Sequence, residues 1–169
     1  MLAAAGAAYG SAGDHNGVTI SQGAVPAGAA AQTETGLPLI PDGAGNVGAN
    51  VVAPSNLTGN QLCIALAHEG SHVGDAQSVG ASIMYPEGGL LSFTRYQSEM
   101  SAYGVSGAAA RALGTPASLA VGNSRFELWN PSWSGVDRQT QPQLNIDRFL
   151  HASPLYAPKL NCSFCNYLS

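Results

Sequence analysis

Apolar residues recur at helical spacing in two long stretches of this chain. Over the first, Leu62, Ala65, Leu66, Val73 and Ala76 share one face, which predicts an amphipathic helix from about Asn60 to Ser78. The second, about Thr94 to Leu113, is marked by its ends. Thr94 with Gln97 three residues later makes a capping box, and Gly114 followed by Pro116 stops the helix. A shorter helix is expected from about Gln143 to His151, closing before Pro154. Short strands are expected at Val18-Thr19-Ile20, around Leu39-Ile40 and Val51-Val52, and over Arg125–Trp129. Gly80 to Gly89 reads as a loop or hairpin, and Asn130 to Gly135 as a turn. Residues 1–36 are dominated by Ala and Gly, so they are expected to be a flexible lead-in to a domain over 37–169. There is no internal repeat. The pattern predicts an α+β domain of two long helices beside a small sheet.

Two glycines qualify that picture. Gly70 and Gly74 each cost the first helix about 1 kcal/mol relative to Ala, so it needs packing to offset them.

Composition narrows the partners. At 169 residues the chain is long enough for one domain with a real core. Only 9% of residues are charged, six of them basic, with a net charge of −4. No basic patch of any size can form, which disfavours binding to a nucleic-acid backbone. No apolar run approaches the roughly 18–20 residues that span a bilayer. Met1 to Ala8 is small rather than apolar and lacks basic residues, so it does not resemble a signal peptide. A low-charge chain that begins with Ala/Gly filler is expected to be a C-terminal piece of a larger polypeptide, secreted or delivered with it. Cys63 is expected to be a small buried core residue. Cys162 and Cys165 form a C-x-x-C that supplies only half a zinc site, and a local disulfide or two free thiols is expected there.

The candidate chemistry lies in His68-Glu69-Gly70-Ser71-His72, an HExxH box within the first helix. Residues four apart on a helix stand on one face, so both histidines can reach a single ion. Glu69 can take a proton from a water that the metal activates. A catalytic zinc needs a third protein ligand, and the candidates are Asp75, Glu87, Glu99, His15 and His151. Glu99 leads, because it sits on the second helix among Met100, Ala102 and Tyr103, where an inward carboxylate needs a partner. Asp75 is better placed as an outer-shell acceptor, since ligands at i, i+4 and i+7 span about two turns. Tyr103, one turn beyond Glu99, and His151 can each donate to a developing oxyanion. Two other readings compete with an open catalytic site. One is a binding module with a closed structural zinc, Asp75 or His151 being the fourth ligand; the other is a metal-free helical interaction domain.

His68-Glu69-x-x-His72 with a distal Glu99 resembles the gluzincin arrangement of zinc metallopeptidases. That resemblance implies a zincin-like fold, Zn2+ held by His68, His72 and Glu99, and Glu69 as general base. Many gluzincins carry an aspartate where this chain has Tyr103. More narrowly, Ala67 to Gln77, Thr94 to Glu99 and Ala102-Tyr103 resemble the metallopeptidase toxin domains at the C-termini of Rhs-repeat and other polymorphic toxins. Trp129 to Trp133 and Ile146 to Leu150 belong to the same pattern, which covers roughly residues 55–160. It implies a protein or peptide substrate, delivery into a target cell and a cognate immunity protein.

Overall fold

The computed structural model describes residues 6–10, 16–36, 40–43 and 46–156. Residues 1–5, His15, Leu39, Cys162 and Cys165 lie outside them. The chain is α+β, and it divides between Ser92 and Phe93 into two compact units.

In the first unit, strands β1 (Val18–Gln22), β2 (Gln32–Thr35) and β3 (Ala49–Ala53) form a sheet of order β1-β3-β2. β3 is central, parallel to β1 and antiparallel to β2, with Val51 opposite both Ile20 and Thr33. Period-two alternation sends Ala49, Val51 and Ala53 to one buried face. The opposite face carries the buried Val52 and a polar cluster: Asn50 Oδ1 accepts from Thr19 and Ser21, and Asn50 Nδ2 donates to Glu34. The expected strands at 18–20 and 51–52 are therefore present. β2, with the sequence Gln-Thr-Glu-Thr, has no apolar alternation to announce it, and Ile40 lies exposed in no strand.

Helix α1 (Gly59–Met84) lies on the apolar face of this sheet. Val73 packs with Val51, Ala49 and Ala8, and Ala65 packs with Ala53 and Ala31, so the expected apolar face is the one that is buried. The helix runs past Ser78 to Met84 because nothing between them breaks it before Pro86, and Gly80 is helical rather than a boundary. Ser82 then ties the following segment back, donating to Val79 O and accepting from Leu91 N. Cys63 is exposed, contrary to expectation: Leu62 and Leu66 pack against the core clusters, and Cys63 is turned off their face.

In the second unit, helix α2 (Arg95–Ala112) begins with the expected capping box. Thr94 Oγ1 accepts from Gln97 N, and Gln97 Oε1 accepts from Thr94 N. It ends in a Schellman motif, with Thr115 N bonded to Ala110 O, Gly114 N to Arg111 O, and Gly114 at φ 64°. β4 (Ala117–Val121) and β5 (Ser124–Trp129) form a hairpin through Gly122-Asn123, where Gly122 takes φ 55°. β5 is the expected strand; β4 was not foreseen. Helix α3 (Asp137–Ala152) starts six residues before the expected Gln143, because it continues through Pro142 instead of starting after it. Leu128, Ile146, Leu150 and Tyr156 form the core of this unit around Phe149, whose ring meets those of Tyr103, Phe126 and Tyr156 edge to face. Among the described residues, no helix is long and apolar enough to cross a membrane.

Two glycines of similar helical setting should respond oppositely to alanine. A Cβ at Gly74 would sit 3.8 Å from Ala8 Cβ, an ordinary contact, so Gly74→Ala should stabilise by up to about 1 kcal/mol. A Cβ at Gly107 would sit 3.0 Å from the Leu128 carbonyl oxygen. The overpacking cost of about 1–3 kcal/mol there exceeds the propensity gain, so Gly107→Ala should lower stability. Urea unfolding measures both, and an unchanged Gly107→Ala midpoint would mean that Leu128 gives way freely. By the same method, Phe149→Ala should cost about 3–5 kcal/mol.

Candidate metal centre

Helix α1 places His68 and His72 one turn apart, both half-buried. Their Nε2 atoms converge to 3.2 Å, with the rings inclined at 78°. Two nitrogens each about 2.0–2.1 Å from one tetrahedral zinc ion are about 3.3 Å apart. The pair thus already has the separation that a shared ion requires.

Glu69, between them in sequence, is tied to the sheet. Its side chain is buried, and Oε2 accepts a 2.7 Å hydrogen bond from Thr33 Oγ1 on β2. The same hydroxyl lies 3.3 Å from the backbone carbonyl oxygen of Glu69. Burial raises the carboxyl pKa to about 7, and the Thr33 hydrogen bonds partly oppose that rise. Tyr9 is a second neighbour: its phenol donates to the Leu66 carbonyl oxygen. Burial, and then the charge of Glu69, push the Tyr9 pKa upward.

The segment that carries Tyr9 is fastened along α1. Ala8 O accepts from Gln77 Nε2 and from Asn16 Nδ2. These ties bracket the HExxH box on the helix, from Leu66 to Gln77. Asp75 is half-buried within α1, and Glu87 is exposed in the 3-10 turn Pro86–Gly88.

The remaining candidates belong to the second unit. Glu99 is buried on α2, and Tyr103 follows one turn later with its hydroxyl 3.1 Å from that of Tyr156. His151 is exposed near the end of α3, with Nδ1 2.9 Å from Asp147 O and 3.3 Å from Asp147 Oδ1. Tyr96 donates to the same Asp147 oxygen at 2.7 Å, and that bond, more than burial, raises the Tyr96 pKa.

Thr33, Tyr9 and the Tyr96–Asp147 pair were not anticipated. Thr33 carries no motif, since a lone threonine in a polar tetrad gives no sign of which helix it will meet. Comparison of the chain with family models, curated proteins and solved structures finds no match.

Proposed function

We propose that this chain is a zinc-dependent peptidase with a zincin-like fold, acting on an amide bond of a protein or peptide. The observation that carries this reading is the 3.2 Å separation of the His68 and His72 Nε2 atoms on one face of α1. His68, His72 and Glu99 are the residues that would hold the ion, Glu99 being the third ligand that the gluzincin resemblance implies. Held there, a zinc ion would supply Lewis-acid chemistry, polarising a carbonyl and lowering the pKa of water.

The rest is done by the chain. Glu69 accepts the proton of the attacking water and passes it to the leaving amine. Tyr103 and His151 are assigned as donors to the developing oxyanion. The likeness of residues 55–160 to C-terminal domains of polymorphic toxins supports a narrower role as a delivered effector, with a cognate immunity protein as partner.

Elemental mass spectrometry of the purified chain, paired with cleavage of fluorescently labelled casein, tests the reading. About one zinc per chain is expected, sharply reduced in His68→Ala and in Glu99→Ala. Glu69→Gln should keep the zinc and lose roughly 10²–10⁴-fold in hydrolysis. Undiminished cleavage by Glu69→Gln would remove the general-base role. Failure to take up zinc, even when it is offered, would remove the metal centre altogether.

A further inference from the structure

We infer that Thr33 is the positioning residue for Glu69, fixing which carboxylate oxygen is free to act as base; the inference rests on the hydrolytic reading above. Glutamate has three rotatable side-chain bonds, and a helix backbone alone does not aim its carboxylate. Here the aim is set from another element. Thr33 Oγ1 stands 2.7 Å from Oε2, a short hydrogen bond. Its 3.3 Å approach to the Glu69 backbone oxygen means that one hydroxyl meets both ends of the same residue. Oε2 is thereby committed to β2, and Oε1 is left as the oxygen that can meet a water.

The placement of Thr33 is itself determined by the sheet. In register, Thr33 lies opposite Val51, which is fully buried on the face covered by α1. Period-two alternation therefore directs Thr33 toward the helix, while Glu34 on the other face meets Asn50. A shift of one residue in the β2–β3 register would replace the hydroxyl at this point with the side chain of Gln32 or Glu34. The pairing of β2 with β3 thus decides whether the HExxH glutamate has a hydrogen-bond donor.

The test uses the full chain labelled with 13C at the glutamate carboxyl carbons. The chain has five glutamates, and the resonance missing from Glu69→Gln identifies Glu69. Thr33→Val keeps the shape and the β-branching of the side chain but removes the hydroxyl; Thr33→Ser keeps the hydroxyl. At one fixed pH, Thr33→Val should move the Glu69 resonance and Thr33→Ser should leave it near its wild-type position, with the other four unmoved. Casein cleavage should fall on the order of 10–100-fold in Thr33→Val, in kcat rather than KM, and recover in Thr33→Ser. A Glu69 resonance that ignores Thr33→Val, or that moves as far in Thr33→Ser, would overturn the inference. Zinc content, measured on the same samples, should be equal in all three proteins. Its absence from wild type would count against the metal centre and leave the resonance result to decide the role of Thr33 by itself.

Discussion

Helix α1 is 26 residues of mostly small side chains, three of its interior positions are glycine, and it must still hold two imidazoles in fixed register. Intrinsic propensity does not secure such a helix, because helical stability in proteins comes mainly from the packing of one face. The sheet beneath supplies that packing through Val51, Ala49 and Ala53. Polar ties then fix the helix along its length: Tyr9 to the Leu66 carbonyl, Thr33 to Glu69, and Gln77 to the Ala8 carbonyl. The two histidines inherit their geometry from these contacts. Small side chains on α1 bring the helix near its neighbours, as Gly74 does with Ala8.

The elements legible in the sequence were those whose signals are local. The capping box at Thr94 and the Gly114 stop describe the ends of α2 almost to the residue, since both are made by side chains and backbone within a few positions. The apolar face of α1 was legible for the same reason. β2 was not, because Gln32 to Thr35 is a strand only by virtue of pairing with β3, whose partners Ala49 to Val52 come later in the chain. The start of α3 was missed for a different reason: Pro142 denies the helix one backbone donor but not the packing of Ile146, Phe149 and Leu150, and the packing prevails.

The candidate site divides along the same line. HExxH is a five-residue statement about one helix face, and His68 and His72 converge as the spacing requires. What the box does not encode is the environment of its own glutamate. Thr33 and Tyr9 reach Glu69 and its helix from distant points in the chain, and the raised carboxyl pKa follows from burial that no local motif describes. Cys63 illustrates the converse error: an apolar residue type in an apolar stretch, yet placed on the wrong side of the helix to be buried.

The order in which the first sheet is joined has a consequence for how the protein matures. β3 is the last of its three strands in the chain, and both of its neighbours precede it, so no pairing in this sheet can form until residue 49 and beyond are available. The β1–β3 pairing is parallel and spans a long loop, the kind of non-local contact that slows folding. Helix formation is local and fast by comparison, within about a microsecond for short segments. Helical turns can form there first, but the histidine pair is fixed only when the sheet packs beneath the helix. Assembly of the sheet is the step that completes the surroundings of Glu69, so this part of the site matures on the timescale of strand pairing rather than that of the helix that bears it.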